Sequence, residues 1–234
     1  IIGYCPQESM VYDDHTAMEN LMFYASLYNI PRSEARVRAG RLLRLVGLEG
    51  KADMRVGRFS GGMKKRLNLA VSLINDPRIM ILDEPTTGLD PSIRRELWDL
   101  ILRLKGEGKA IIIATHYMEE ADYLCDRVAI MDGGRIVALD SPSELKRRLG
   151  DLSIIELRVS RWSEGLMEAL EPYSEGRPMV EDDTVRLYTR DPDPLLPRVV
   201  ESVLKSGSRV SAVSVVEPTL EDVFVKLTGR RLRE

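Results

Sequence analysis

The chain has 234 residues, of which 44% are hydrophobic and 30% are charged, and its 34 basic and 37 acidic side chains give a formal net charge of −3. This length allows one large domain or one domain with a smaller companion, and the ordinary composition excludes collagen-like, disordered and disulfide-scaffold proteins. The apolar runs are too short to span a bilayer, and the charge balance does not favour a nucleic-acid partner.

Residues 1–77 are predicted to be mostly helical after a short opening strand. Thr16 and Glu19 have the spacing of a capping box, in which each side chain satisfies a backbone N–H of the other residue, so we expect a helix to begin there. Pro31 opens a second helix. A third helix follows Ser60, because apolar residues recur after it at i, i+3, i+4 and i+7.

The next part of the chain alternates between strands and helices. Ile79–Leu82 and Ala110–Ala114 are short apolar runs of the kind found in strands that are buried on both faces. Between them, Asp90 is an N-cap and Pro91 is the first residue of a helix. A hairpin is predicted over residues 128–138. The order strand, helix, strand predicts a parallel sheet and an α/β fold.

A second, smaller domain is predicted after Gly150-Asp151. Alternating apolar residues predict strands around 155–159, 185–187 and 213–215, and a helix covers Leu166–Leu170. A further helical stripe begins at Leu196. We interpret the order as βαββαβ, which is typical of a small split-βαβ domain.

Polar side chains follow three of the predicted strands at the point where each strand ends. Asp83 and Glu84 follow the second strand, His116 follows the third, and Gln7 follows the opening one. Since ligands of open α/β sheets bind beyond the carboxyl ends of the strands, we expect these groups to meet at one edge.

The adjacent carboxylates Asp83 and Glu84 suit a hard cation such as Mg²⁺, with one carboxylate free to orient a water molecule. The alternative is an ordinary helix cap or surface turn. Cys5 and Cys125 lack the spacing of metal ligands, so we expect reduced thiols in a cytosolic protein.

The helix start after Ser60 is unusual because it contains a glycine pair followed by three cations, Lys64, Lys65 and Arg66. Glycines at a helix start let a phosphate approach bare backbone N–H groups. Cations in the first turn oppose the helix dipole, so a bound anion facing the turn is the expected compensation. A simple Ser60 N-cap is the alternative.

Together these residues resemble the motifs of ABC-transporter ATPase subunits, in their order and spacing. The motifs are Gln7 (Q-loop), Phe59-Ser60-Gly61-Gly62 (signature, with Phe59 at the usual leucine), Ile79–Glu84 (Walker B), Gly88-Leu89-Asp90 (D-loop) and His116 (H-loop). The resemblance implies an incomplete P-loop NTPase-like core over 1–150, with a helical subdomain at about 9–77 and Walker B to the hairpin at 78–150. An α+β domain would follow at 151–234. The tail 217–224 resembles that of drug-export ATPases of the daunorubicin-resistance type.

The resemblance implies a role for each polar residue at the sheet edge. Asp83 would hold Mg²⁺, directly or through water, and Glu84 would be the general base for the attacking water. His116 would contact the γ-phosphate of ATP. Gln7 would sense Mg²⁺ and link the site to a membrane partner.

The resemblance also implies partners. Ser60, Gly61 and Gly62 would bind the γ-phosphate of a nucleotide held by a second ATPase subunit, so hydrolysis requires a dimer, with a homodimer expected. Asp90 would belong to the D-loop at this shared site, while its role as an N-cap stands independently. The other partner would be an integral membrane permease, which places the chain peripherally on the cytoplasmic face of the membrane.

One motif of the family does not occur in the printed sequence. The phosphate loop GxxxxGK[ST] has no match, because Gly50-Lys51 and Gly108-Lys109 are each followed by alanine and lack the earlier glycine. We therefore expect a truncated ATPase that does not bind ATP tightly alone. The alternatives are a non-catalytic interaction module and an ABC-type ATPase of translation or DNA repair; the chain shows no second cassette, long heptad arm or basic stripe to favour the last. The C-terminal domain is a candidate regulatory or dimerisation unit.

Overall fold

The computed structural model describes residues 1–149 and 152–229, which form two compact units, Ile1–Leu124 and Cys125–Glu234. The boundary expected at Gly150-Asp151 lies outside the described residues, and the division between the units falls before the predicted hairpin rather than after it. Among the described residues, no helix is both long and apolar enough to cross a membrane.

The first unit contains a three-stranded parallel sheet in the order β1 (Ile2–Cys5), β2 (Ile79–Asp83), β3 (Ala110–Ala114). The register pairs Cys5 with Leu82 and Asp83 with Ala114, so the carboxyl ends of all three strands lie at one edge. The parallel α/β sheet predicted from the apolar runs is confirmed.

Five α-helices of the first unit are described. They are α1 (Ala17–Leu27), α2 (Arg32–Leu45), α3 (Gly61–Ser72), α4 (Pro91–Gly106) and α5 (Met118–Leu124). Thr16 and Glu19 form the predicted capping box at α1, and Ser60 and Asp90 cap α3 and α4. Helix α5 was not predicted, because its seven residues are too few to show a helical period.

The C-terminal end of α3 lies against β1, and Gly3 makes this close approach possible. A Cβ at Gly3 would lie 2.2 Å from the carbonyl oxygen of Ser72. Leu67, Ile74 and Met80 are fully buried in the same unit. The close packing therefore fixes α3, which carries the glycine pair and the three cations, relative to the sheet.

The second unit begins with an antiparallel hairpin, β4 (Val128–Asp132) and β5 (Arg135–Asp140), followed by α6 (Pro142–Arg147). A four-stranded antiparallel sheet follows in the order β7-β8-β6-β9, with three helices. Its elements are β6 (Ser153–Val159), α7 (Glu164–Leu170), β7 (Met179–Glu181), β8 (Thr184–Thr189), α8 (Leu196–Lys205), β9 (Val210–Val216) and α9 (Leu220–Thr228). The predicted βαββαβ order is confirmed, with α9 as an addition.

The core of this sheet lies on the face covered by α7 and α8, where Leu157, Val185 and Val199 are fully buried. On α9, Asp222 is buried and forms a capping box with Thr219, whose N–H and hydroxyl donate to its Oδ2 at 2.8 and 2.7 Å. The Tyr188 hydroxyl donates to Asp222 Oδ1 at 3.0 Å. The tail stretch 217–224 therefore anchors α9 to the second unit.

Candidate functional site

The closest polar contact at the sheet edge joins Glu84 and His116. His116 Nδ1 lies 2.8 Å from Glu84 Oε1, and the backbone N–H of His116 donates to the same oxygen at 3.1 Å. Because an ionised carboxylate only accepts hydrogen bonds, Nδ1 is the protonated nitrogen in this contact. The structure thus brings together two residues that lie 32 positions apart, as the parallel register led us to expect.

The backbone of Glu84 adopts the left-handed region, with φ +47°, which costs a non-glycine residue about 1 kcal/mol or more. Three hydrogen bonds hold it there. Its N–H donates to Ala114 O at 2.9 Å, the Thr87 N–H donates to its carbonyl at 3.3 Å, and the Thr87 hydroxyl donates to its Oε2 at 2.9 Å. Glu84 is consequently fixed in both backbone and side chain.

Lys65 of α3 links two of the predicted site residues through their carbonyl oxygens. Its Nζ donates to Gln7 O at 2.9 Å and to Glu84 O at 3.3 Å. The basic triplet by itself predicts only cations that face an anion, so the sequence carries no signal for this structural role of Lys65. The α3 helix is thereby joined to the ends of β1 and β2.

The other two cations also have protein acceptors. Lys64 pairs with Asp13 at 2.7 Å and Arg66 pairs with Glu96 at 2.6 Å. The bound anion at this turn stays a prediction, but the basic triplet does not require one, because each of its cations has an acceptor within the chain. The partners were not recognisable from sequence, since they lie 51 and 30 residues away.

The residues before the cations play different parts at the start of α3. Ser60 Oγ accepts from the Met63 N–H at 3.3 Å. A Cβ at Gly61 would meet nothing within 4 Å, whereas one at Gly62 would lie 3.2 Å from the Ile93 side chain. Gly62 is thus explained by packing against α4, and Gly61 leaves exposed backbone at a helix N-terminus, where an anion can approach.

Asp90 is the N-cap of α4, the helix that packs against this start of α3. Its Oδ1 accepts from the N–H groups of Ser92 and Ile93, both at 3.1 Å. Ile93 is also the residue that packs on Gly62. The predicted signature and D-loop residues are therefore neighbours in the first unit.

Asp83 and Gln7 provide oxygen donors at the ends of β2 and β1. Asp83 is half-buried and the Gln7 side chain is exposed. Among the described residues, no group of three His, Cys, Asp or Glu side chains could enclose a metal ion. Mg²⁺ commonly takes only one or two carboxylates and completes its shell with water and phosphate oxygens, so this donor set fits a nucleotide-bound Mg²⁺.

Two further residues near Glu84 are not among the predicted site residues. Thr87 binds Glu84 Oε2, and the turn residues Pro85 and Gly88 on either side are the signal that could have identified it. Glu120 is completely buried and binds Thr86, which lies in the same turn. A glutamate in a short polar segment gives no sign of burial, so Glu120 could be found only from the tertiary structure.

Comparisons with known proteins agree on one family. The ABC transporter family model matches residues 1–87. The linearmycin resistance ATP-binding protein of Bacillus subtilis is 38% identical over 240 residues, covering 100% of this chain and 76% of that protein. A Nod factor export ATP-binding protein I of a Rhizobium species is 39% identical over 233 residues, covering 100% and 74%.

A solved structure, cbiO1 from Clostridium perfringens, described as part of the ABC transporter complex cbiONQ, is 33% identical with a TM-score of 0.57. The alignment covers 62% of this chain and 58% of that one, which is less than two thirds of its length. This likeness agrees with the α/β sheet and the clustered motifs. The chain therefore belongs to the ABC transporter family, among its ATP-binding proteins.

Proposed function

We propose that this chain is the ATP-hydrolysing subunit of an ABC exporter and couples ATP binding and hydrolysis to transport through a separate membrane subunit. The observation that carries the proposal is the contact between Glu84 and His116 at the carboxyl ends of neighbouring parallel strands. The names of the relatives, one for linearmycin resistance and one for Nod factor export, support an exporter.

Glu84 is proposed as the general base. Its Oε1 is held by His116 and its Oε2 by Thr87, so the carboxylate has a defined orientation from which it can accept a proton from water. Asp83 and Gln7 would hold the Mg²⁺ of MgATP. When bound, Mg²⁺ neutralises negative charge on the phosphates.

His116 is proposed to contact the γ-phosphate through Nε2. Because Nδ1–H donates to Glu84 in the described conformation, Nε2 carries a proton only when the ring is cationic. The ring can therefore donate to a phosphate either as the imidazolium or after its contact with Glu84 is released.

The exposed start of α3 is proposed to complete the site of a second copy. Ser60, Gly61 and Gly62 would offer backbone and hydroxyl groups to the γ-phosphate of a nucleotide held by that copy. Asp90 lies beside them through Ile93. The expected assembly is a homodimer with shared ATP sites.

A permease is proposed to dock near α1, with the chain on the cytoplasmic face of the membrane. Tyr12, Phe23 and Leu27 are exposed apolar side chains, and the ring of Tyr12 packs edge-on against Phe23 at 5.3 Å. Exposed apolar patches mark interaction sites. These three side chains lie on α1 and the loop before it, and together they would form the surface that a permease contacts.

The catalytic role of Glu84 is tested by Glu84→Gln in the complete ATPase subunit. The amide keeps the size of the side chain but cannot accept a proton from water, so we expect MgATP binding to be retained and phosphate release to fall by about 10²-fold or more. Glu119→Gln, an exposed carboxylate near His116, is the matched control. Unimpaired turnover of Glu84→Gln would contradict the assignment of the base.

A second candidate function is a non-catalytic interaction module, which the exposed apolar side chains near α1 favour. Calorimetry of the 234-residue chain with MgATP distinguishes the two. We expect no tight binding by this chain, since no phosphate-loop lysine is present. Tight binding with phosphate release would contradict that expectation and would mean that another part of the chain holds the phosphates.

A further inference from the structure

Glu120 is a fully buried carboxyl group in the first unit, with 0% exposure. Its Oε1 accepts two hydrogen bonds, from the Thr86 hydroxyl at 2.7 Å and from the Trp98 indole N–H at 2.9 Å. Its Oε2 is also buried and has no hydrogen-bond partner among the described residues. Both of the side-chain hydrogen bonds therefore depend on a single oxygen.

The two donors belong to different elements. Thr86 lies in the turn that begins at Glu84, and Trp98 lies in the middle of α4. Glu120 itself is on α5, the helix that follows His116. Burial of a carboxyl group is unfavourable unless hydrogen bonds compensate for it. The two hydrogen bonds to Oε1 therefore stabilise the packing in which Thr86 and Trp98 are both in place.

The interface between α4 and α5 extends this arrangement to His116. The Arg94 guanidinium lies 4.5 Å from the centre of the Tyr117 ring, and the Tyr117 ring lies 4.3 Å from the His116 ring. On the other side of Glu120, Trp98 stacks on Tyr123 at 5.3 Å. A shift of α5 would consequently move His116 relative to α4.

We propose that Glu120 is a positioning residue, which holds Thr86 and Trp98 through Oε1 so that the Glu84 turn and His116 keep their mutual contact. The consequence for hydrolysis rests on the proposed function. The contact itself does not, and it can be tested in the 234-residue chain without nucleotide. Failure of this proposal is therefore distinguishable from failure of the proposed function.

The chain contains two histidines and two tryptophans, so each of these residue types supplies one reporter of the Glu120 contacts and one internal control. His116 lies at the site and His15, the other histidine, is exposed in a loop before α1. Trp98 is 2% exposed, while Trp162, the other tryptophan, is 51% exposed. Nuclear magnetic resonance can follow the imidazole C–H signals of both histidines and the hydrogen exchange of both indole N–H groups.

The first comparison is Glu120→Leu with Glu120→Gln. Leucine removes the acceptor and glutamine retains a carbonyl oxygen. We expect Glu120→Leu to shift the His116 signals and to speed exchange of the Trp98 indole N–H by about tenfold or more, with His15 and Trp162 unchanged. Glu120→Gln is expected to keep both reporters close to the unmodified chain. Glu119→Leu, an exposed neighbour on α5, is the matched control.

The second comparison uses Thr86→Val, which removes the donor while keeping a similar shape. We expect it to shift His116 while exchange of the Trp98 indole N–H stays slow. If Glu120→Leu does not fold, the His116 signals of Thr86→Val test the proposal instead. A folded Glu120→Leu or Thr86→Val variant with unchanged His116 signals would overturn the proposal, because Glu120 would then support only packing. Equal shifts in Glu120→Gln and Glu120→Leu would also overturn it, because they would show that the acceptor is not what matters.

Discussion

Glu84 and Cys5 show how single residues at the sheet edge depend on their surroundings. The left-handed backbone of Glu84 ends the extended path of β2, and its carboxylate meets His116 from the neighbouring strand. Cys5 is the last residue of β1, where it pairs with Leu82 of β2, and it is 3% exposed. Burial excludes water from the thiol and so favours its neutral form.

The Cys5 thiol gives a prediction for alkaline pH. Burial raises its pKa from 9.0 to about 11, while nearby Lys65 lowers it and Asp83 raises it. Between these values the folded chain retains a proton that the unfolded chain releases, so the free energy of unfolding should fall as pH rises, by about 1.4 kcal/mol per pH unit. Urea unfolding below and within this window measures the slope.

Two variants isolate the contribution of Cys5 to that slope. Cys5→Ala should lose this part of the pH dependence, whereas Cys125→Ala should retain it. Tyrosine and lysine side chains also titrate in this range, so the difference between the variants is the informative quantity. If the unmodified chain and Cys5→Ala have the same slope, the Cys5 prediction is wrong.

At the scale of elements, α3 has three functions along its twelve residues. Its start exposes backbone beside Gly61, its middle carries Lys65, and its end packs on β1 at Gly3. Lys65 joins the ends of β1 and β2 by donating to Gln7 O and Glu84 O. A movement of α3 would therefore disturb the Glu84 turn.

We expect Lys65→Met to destabilise the chain more than Lys64→Met. Methionine keeps the length of the stem but removes the ammonium group, so Lys65→Met removes a charged donor from two backbone carbonyls, at about 1.5–3 kcal/mol. Lys64→Met removes an exposed ion pair with Asp13, which contributes about 0–1 kcal/mol. Urea denaturation of both variants measures the difference. Equal losses would show that the Lys65 contacts contribute no more than a surface pair.

At the scale of the whole molecule, each unit has its own buried core. In the second unit, β6 and β9 pair with Leu157 directly opposite Val213, yet Leu157 is fully buried and Val213 is 41% exposed. The helices α7 and α8 cover the β6 position, while β9 is an edge strand. Position in the sheet, rather than residue type, decides which of the two side chains is buried.

This matched pair gives a prediction for the second unit. Leu157→Ala should reduce the free energy of unfolding of the Cys125–Glu234 unit by about 2–5 kcal/mol, because it leaves a cavity in the core. Val213→Ala should change it by about 0.5 kcal/mol or less, since the exposed side chain loses few contacts. Hydrogen exchange of the β6 and β8 amides reads the stability of this unit. A similar effect of both variants would contradict the assignment of the core.

The sequence by itself determined the local elements and the family. The capping box at Thr16, the N-cap at Asp90 and the two apolar strands rest on spacings of a few residues, and all were found where predicted. The sequence also predicted that Glu84 and His116 lie at one edge of the sheet, because each follows a strand and the order of elements predicts that the strands are parallel. These features depend on short-range geometry, which a pattern of residues encodes directly.

Only the tertiary structure decided which side chains become partners across the fold. Lys65 binds carbonyls 58 and 19 residues away, and Glu120 is buried against Thr86, 34 residues away. The extent of the second unit, which includes the hairpin, also follows from contacts rather than from composition. Such partners are set by how whole helices and sheets pack, and because packing depends on many distant residues at once, no local spacing specifies them.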